Sequence, residues 1–438
     1  MRVLIIDEHG ECCDFAMRAH LHEHDVKWYI RDDEKTKEVG KGLAPIVRDY
    51  KTYLRWADLI VLAENTKYLK EMDAWRKGGK LVVGATQKSA EWELDRGLGQ
   101  DIFKKHKIPV IPYETFSDYD KAIAYVKKQN ERFVSKPTGD EPDKALSYVA
   151  KSPADMVFML ERWKKMKKHK APFIMQRFVK GIEMAVGGWF GPNGFNAGWC
   201  ENFEFKKLMN GEMGPNTGEQ GTVLHIVGKS NLSKKVLQPL EEEIAKTGHV
   251  GYIDVNCIID EDGTPWPLEF TMRNGYPTFN IQYALHDGDP VEWLYDLASG
   301  DDAKNFRMNE VATGIVMTIP DYPYSRYTGK QTNGIPLYGV SDRNFNNIHP
   351  CQMQLGVCPV DSDKGVVNKP SLMTAGDYIL VASATGDTVR KSADAAYRLI
   401  ESLEMPASPM WRTDIGNRLA RQIPKLQDVG FAESITYS

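Results

Sequence analysis

Three stretches of this chain combine residue types and spacings that could do chemistry. In "GYIDVNCIIDEDGTPWPLEFTMR" the dipeptide Asp262-Gly263 is a strong two-residue turn signal between two apolar runs. A hairpin centred there pairs Asn256 with Glu269 and Asp254 with Thr271. Residues two apart share one face of a strand, so these four oxygen-bearing side chains project together. Ile253, Val255, Cys257, Leu268 and Phe270 then go to the opposite, buried face. Four oxygens on one face suit a hard cation such as magnesium, and they equally suit the solvated face of an antiparallel sheet. An EF-hand is excluded, because the glycine and the distal glutamate of "DEDG" are misplaced for one.

Lysines at strand ends form the second group. Lys136 follows "RFVS" and Lys144 precedes "ALSYVA", and the loop between them contains Gly139. Such compact charges suit a polyphosphate, and lysines in the same place also protect a sheet edge. The third is "GEMGPNTGEQGT", residues 211–222, with glycine at 211, 214, 218 and 221. A loop so rich in bare backbone offers N–H groups and close approach to an anionic substrate.

These residues need elements to position them. "VLIID", "DVKWYI", "ADLIVLAEN" and "KLVVGATQ" are short apolar runs separated by helical or polar pieces such as "FAMRAHLHEH". That alternation predicts a small parallel sheet covered on both faces. From about residue 89 the pattern changes: helix "DRGLGQDIFKKH", strand "IPVIPYETF", helix "DYDKAIAYVKKQ" and strand "RFVSKP". A further helix opens at Ser152, an N-cap residue followed by Pro153 at the first helical position. "PFIMQRFVKGIEMAVGGWFGPNGF" predicts strands joined by a turn at residues 192–194. Beyond residue 300 the chain is strand-rich and then closes with helix "TVRKSADAAYRLIESL".

Composition sets the outer limits. With 438 residues and 42% hydrophobic content, two or three domains can each bury a core. A formal net charge of −4 speaks against a sequence-blind nucleic-acid binder. The basic run "ERWKKMKKHK" is read as the solvated end of a helix. No apolar run reaches membrane-spanning length, and the start "MRVLIIDEHG" lacks the pattern of a signal peptide. The six cysteines show no zinc or disulfide spacing, which points to a reduced, cytoplasmic protein.

Taken in order, the motifs resemble the phosphoribosylamine–glycine ligase family of the ATP-grasp superfamily. The family's "DHKRL…G…GPNTGGMG" is similar to "EFKKLMNGEMGPNTGEQG", without a gap. "SKAFAKDFMARHGIP" corresponds to "DRGLGQDIFKKHKIP", "EEFLEGEE" to "QRFVKGIE", "LEFNCRFGDPE" to "LEFTMRNGYPT" and "YRRDIG" to "WRTDIG". The resemblance runs from residue 1 to about residue 420. It implies an α/β (α+β) chain with an N-terminal Rossmann-like domain over residues 1–88. An ATP-grasp domain would follow over 89–310, with a small lid at about 110–178, and then a C-terminal β-rich domain and tail over 311–438.

Position by position, the resemblance implies ATP contacts at Arg96, Lys136, Lys144, Gln176, Arg177, Val179 and Glu183. It places a magnesium (or manganese) ligand at Glu269, with Asn256 and Thr271 on the same face, and a catalytic pair in Lys136 and Arg273. Gly214, Asn216, Thr217 and Gly218 match the loop that approaches the amino-acid substrate, and Gly10 lies in the first loop. The implied activity uses ATP to join an amino acid such as glycine to an amine through an acyl phosphate, within purine biosynthesis, by a monomer or homodimer. Two other activities stay open: a ligase for an amine that is not a ribose phosphate, and an inactive relic that only binds.

Four departures from the family pattern carry their own expectations. The first loop, "GNGGREHA" in the family, is "DEHGECCDFA" here, and Asp7, Glu8 and Glu11 would repel a phosphate at a helix N-terminus. "FGDPE" becomes "NGYPT". The lid loop keeps few glycines in "PTGDEPDKAL". The metal asparagine becomes Thr271, so Asp254, directly across the hairpin, is expected to take over as a metal ligand.

Overall fold

Alternating helices and apolar runs at the N-terminus become strands β1 (Arg2–Ile6), β2 (Asp25–Tyr29), β3 (Ile46–Val47), β4 (Leu59–Leu62) and β5 (Leu81–Val83). All pair in parallel, in the order β3-β2-β1-β4-β5. β1 is apolar on successive residues because both its faces are covered: Val3 and Ile5 join one core cluster, Leu4 and Ile6 another. Helices α1 (Cys13–Leu21) and α2 (Leu69–Lys77) belong to this unit. Strand order reverses at β1 and β4, so the loops that follow them flank the crevice where open sheets of this kind bind ligands. The computed structural model describes residues 1–31, 33–137, 147–167, 172–301, 306–308, 310–325 and 331–438.

Helices α3 (Gln87–Leu94) and α4 (Arg96–Lys105) lead into a small α/β unit. It contains β6 (Tyr113–Phe116), α5 (Tyr119–Gln129), β7 (Phe133–Pro137), β8 (Tyr148–Val149), α6 (Pro153–Lys165) and β9 (Phe173–Arg177). Its sheet order is β6-β9-β7-β8. Ser152 caps α6 as its sequence predicts, its hydroxyl accepting the N–H of Asp155 at 3.1 Å. Phe133, Phe173 and Met175 pack with Ile123, Met156 and Leu160 into a core of their own. By alternation, the other face of the sheet carries Tyr113, Thr115, Val134, Lys136, Ile174 and Gln176.

The central body follows with β10 (Gly181–Gly191), β11 (Gly194–Glu204), the ribbon β12 (Lys207–Met209) and β13 (Met213–Asn216), and β14 (Gly221–Val227). Next come α7 (Asn231–Val236), α8 (Glu241–Thr247), β15 (Gly251–Asp260), β16 (Pro265–Thr271), α9 (Thr278–Tyr283) and α10 (Pro290–Ser299). The C-terminal part has β17 (Val311–Thr318), β18 (Asn333–Pro336), β19 (Ile348–Pro350), β20 (Met353–Ser362), β21 (Gly365–Ala375), β22 (Tyr378–Gly386), α11 (Val389–Glu401) and α12 (Leu419–Asp428). One eight-stranded sheet, in the order β16-β15-β10-β11-β14-β17-β22-β19, crosses residue 311. The expected boundary there falls inside a sheet, because β14 pairs with β17. Among the described residues, β18, β20 and β21 form a separate C-terminal sheet. No described helix is long and apolar enough to cross a membrane.

Candidate active site

The Asp262-Gly263 hairpin forms with the register its turn dictates: Asp254 opposite Thr271 and Asn256 opposite Glu269. Its polar face is not a solvated one. Asp254 is 5% exposed and Asn256 4%. Strands β10 and β11 extend the same face with Glu183, Asn202 and Glu204. Burying so many acceptors requires donors, and Lys206 is the main one. Its Nζ lies 2.8 Å from Glu183 and 2.7 Å from Glu204, and Asn256 Nδ2 donates to both carboxylates at 2.9 Å. Burial works against the Lys206 ammonium, but Glu204 and Glu183 more than offset it and its pKa ends well above the ordinary value. Burial likewise opposes the Glu183 carboxylate, which Lys206 nevertheless holds below the usual range.

Positive charge continues toward the small sheet. Arg96, at the start of α4, reaches Glu269 at 3.2 Å. Glu269 is half-buried, and although desolvation opposes its charge, Arg96, Lys206 and Lys136 hold it below the usual carboxylate range. Burial, reinforced by Arg96 and Lys206, pushes the Lys136 ammonium down to about 8. A cavity of about 400 Å³, lined by Arg96, Gln100, Tyr113, Thr115 and Ile174, separates α4 from the face of the small sheet that bears Lys136. By register Gln176 shares that face. The Arg177 guanidinium turns to Glu131 at 3.2 Å, and its amide N–H donates to the Pro112 carbonyl. Val179 follows β9 in extended chain, and Lys144 lies outside the described residues. Arg273 is held by Glu93 at 3.3 Å, and Glu93 also accepts Asn65 Nδ2 at 2.7 Å and the Met272 N–H at 2.6 Å.

The glycine loop is an exposed ribbon gripped from beneath. Positive φ at Gly211 and Gly214 makes its turns. Arg412, 1% exposed, binds Glu212 at 2.9 Å, Asp414 at 2.8 Å and the Lys207 carbonyl at 3.0 Å. Asp414 accepts the Gly211 N–H at 2.8 Å, and Arg418 adds a second cation to Glu212 at 3.0 Å. The matched "WRTDIG" stretch is therefore the anchor of the matched "GPNTG" stretch. Thr217 bonds the Lys206 carbonyl through both its N–H and its hydroxyl, tying the loop to the central lysine. Around Gly218 and above Gly211 there is open space, and Asn216 is exposed.

The first loop differs from its expectation in an instructive way. Asp7 does not face a ligand; it fills the loop itself. Its carboxylate accepts the N–H groups of Gly10 at 2.9 Å, Glu11 at 3.0 Å and Cys12 at 2.7 Å, and the Trp28 indole at 3.0 Å. Burial raises the Asp7 pKa while the backbone N–H groups of Cys12 and Glu11 act the other way. With four donors around it, the anion is the form that this setting satisfies. The Gly10 N–H is thus committed, which corrects the expectation of a substrate contact there. Glu8 is buried against Arg31 and Lys67, with Tyr68 donating at 3.1 Å. Glu11 is exposed, and its charge acts on Arg273.

Asp254 also needs correction. Its carboxylate accepts Asn202 Nδ2 at 3.0 Å and the Tyr252 hydroxyl at 3.4 Å, whereas Glu269 turns to Arg96. Sharing a face put the two acids on one side of the sheet, but their donors draw them to different partners. A cation fits beside Glu269 through another residue. Asn256 Oδ1 is buried without a partner while its Nδ2 is bound to two carboxylates. With Glu269, directly opposite on β16, this orphaned carbonyl oxygen offers the kind of oxygen donors that magnesium takes alongside phosphates. Among the described residues no three His, Cys, Asp or Glu side chains form a protein-only metal cage.

Lys206, Glu204 and Glu93 are central residues to which sequence reasoning gave no role. The signal for Lys206 was present in the quoted "EFKKL" match; what was missing was the sheet that surrounds it with acids.

Known proteins are similar to this chain in sequence and in fold. Residues 95–278 match the family model described as phosphoribosylglycinamide synthetase, ATP-grasp (A) domain. The phosphoribosylamine–glycine ligase of Salmonella typhimurium is 25% identical over 363 residues, 79% of this chain and 80% of that one. Its counterpart in Leptospira interrogans is 24% identical over 372 residues, 82% and 83% of the two chains. Among solved structures, the phosphoribosylamine–glycine ligase of Thermotoga maritima superposes with a TM-score of 0.70 at 18% identity, covering 94% of this chain and all of that one. The ADP complex of N5-carboxyaminoimidazole ribonucleotide synthetase gives 0.60 at 12% identity, covering 91% and 96%.

Proposed function

We propose that this chain, similar to the phosphoribosylglycinamide synthetases in its ATP-grasp domain, is a ligase of that kind and uses ATP to join the carboxylate of a small amino acid, glycine in the first instance, to an amine. A carboxylate oxygen attacks the γ-phosphorus and ADP leaves. The amine then attacks the acyl carbon, phosphate is expelled, and the amine loses a proton to leave an amide.

Phosphoryl transfer needs positioned charge more than covalent help from the protein. Lys136, Arg96 and Lys206 supply it from the small sheet, α4 and the end of β11, and Arg273 supplies it from the far side of Glu269. Glu269 and Asn256 are the residues to hold a magnesium or manganese ion, which when bound would neutralise phosphate charge. Glu183 and Glu204 keep Lys206 charged and oriented. An acyl phosphate hydrolyses in water, so the small sheet that bears Lys136 has to cover it. The observation that carries this reading is the convergence of Lys136, Arg96 and Lys206, all half-buried, around Glu269, next to a cavity open to the small sheet. Amino-acid-dependent ADP release tests it: the reading requires ADP only when both a carboxylate and ATP are supplied, and a protein silent with every amino acid and amine refutes it.

A second reading of the acceptor has its own support. Asp7 already takes the loop N–H groups that a phosphate would use at the start of α1. We infer an acceptor amine without a phosphate at that loop. Saturable turnover of phosphoribosylamine with glycine at an ordinary KM would refute this second reading and leave the first intact.

A further inference from the structure

Glu219 closes the glycine loop, and phosphoryl transfer gives it no role. It is nevertheless 5% exposed, and its Oε1 has no hydrogen-bond partner. Two more buried oxygens share this condition on the adjoining strands. Asn202 Oδ1 is on β11 and Thr222 Oγ1 on β14, in side chains 1% and 0% exposed. Asn202 Nδ2 is already spent on Asp254, so the amide orientation is settled and the carbonyl oxygen is the free end. Thr222 stands directly opposite Glu204 in the β11–β14 register. An unsatisfied buried acceptor costs roughly 1–3 kcal/mol, so several in one patch point to a missing donor.

The charge balance says what kind of donor. Glu204, Glu219 and Asp254 act on one another here, and the cation acting on all three is Lys206, which Glu183 also uses. Burial and the charge of Glu204 push the Glu219 carboxyl well above its ordinary range. A water molecule would bring two donors and no charge. A primary ammonium brings three donors and the missing positive charge. No three His, Cys, Asp or Glu side chains among the described residues are arranged to hold a metal ion.

We propose that Glu219, Asp254, Asn202 and Thr222 form a receptor for a primary ammonium group, that of the amino-acid substrate. This rests on the ligase reading and deepens it. Asp254 lies two residues from Asn256 on β15, about 7 Å along the strand. An amino acid bound here has its ammonium beside Asp254 and its carboxylate toward Asn256 and Glu269, where the phosphoryl group arrives. The site also gives the glycine loop its purpose: the loop carries Glu219 over the ammonium, and Arg412 and Asp414 hold the loop in place.

The test has two arms, so that failure of the pocket and failure of the ligase reading can be told apart. In the first, the thermal midpoint of the full chain without ATP is followed against methylammonium, with tetramethylammonium and potassium as controls. The expected result is saturable stabilisation by methylammonium alone, with half-saturation moved about tenfold or more upward in the isosteric Glu219→Gln and less in Thr222→Val. In the second, Glu219→Gln raises the KM of the amino acid about tenfold or more. The KM values for ATP and for the acceptor amine stay where they were. The pocket is refuted if methylammonium has no effect, if potassium reproduces the effect, if the amino-acid KM is unchanged in folded Glu219→Gln, or if the acceptor KM rises instead. The first arm does not need turnover, so an absence of ADP release alongside clear methylammonium binding would count against the ligase and not against the pocket.

Discussion

The two ends of the cleft meet negative charge in opposite ways. Around Glu269, Arg96, Lys136 and Lys206 converge, and burial together with the charges of Arg96 and Lys206 brings the Lys136 ammonium down to about 8. Such a group gains when a polyphosphate arrives. At the start of α1, the backbone donors are already filled by Asp7, and Arg31 and Lys67 are already neutralised by Glu8 and Asp33 together. That end gains nothing from a phosphate. The same helix-terminus geometry can therefore serve as a binding site or as a structural plug, and one carboxylate decides which.

The largest effect should come from the nucleotide end. Lys136→Ala should lower kcat/KM by about 100- to 1,000-fold, roughly 3 kcal/mol of transition-state stabilisation, without loss of thermal stability. Steady-state kinetics with ATP varied decides this, and a wild-type value removes the lysine from the mechanism. The counterpart at the other end is Asp7→Ala. It strands three loop N–H groups and should cost about 2–4 kcal/mol in denaturant unfolding. Inorganic phosphate should then restore more stability to the variant than it gives the wild type. Equal phosphate increments would mean that Asp7 is no plug.

A pH dependence sharpens the comparison further. Lys136 carries its charge below about 8 and loses it above. ATP binds the ammonium form better, so affinity is present below that pH and falls as pH rises through it. From pH 7 to pH 9 the Kd for ATP should rise about tenfold. Lys136→Arg, which stays charged, should flatten the profile. The smallest change is expected in the magnesium requirement of Asp254→Asn: with the amino acid saturating, the magnesium concentration for half-maximal turnover should move by no more than about twofold, since Asp254 faces Asn202 and Tyr252.

Local signals explain what could be read from the chain. An Asp-Gly turn sets a hairpin register, and the pairs Asn256–Glu269 and Asp254–Thr271 follow from counting. The doubly covered β1 is equally local, since a strand with two buried faces must be apolar throughout. Long-range partners explain what could not be read. The turn of Asp254 away from Glu269 depends on Asn202, 52 residues away in sequence. Lys206 becomes central only because β10, β11 and β15 assemble acids around it. The union of the C-terminal strands with the central sheet depends on β14 meeting β17, which no turn signal announces. Asp7 looked like a repulsive charge, and only the conformation of its own loop turns it into an internal anion.

The central claim is that a carboxylate is phosphorylated beside Lys136 and Glu269 before the amine arrives. Glycine labelled with oxygen-18 in its carboxylate, turned over with ATP, magnesium and an amine, tests this most directly. Attack of a carboxylate oxygen on the γ-phosphorus, followed by loss of phosphate from the acyl carbon, carries one labelled oxygen into each inorganic phosphate released. Labelled phosphate in step with amide formation is the predicted result; amide formed with unlabelled phosphate would contradict it.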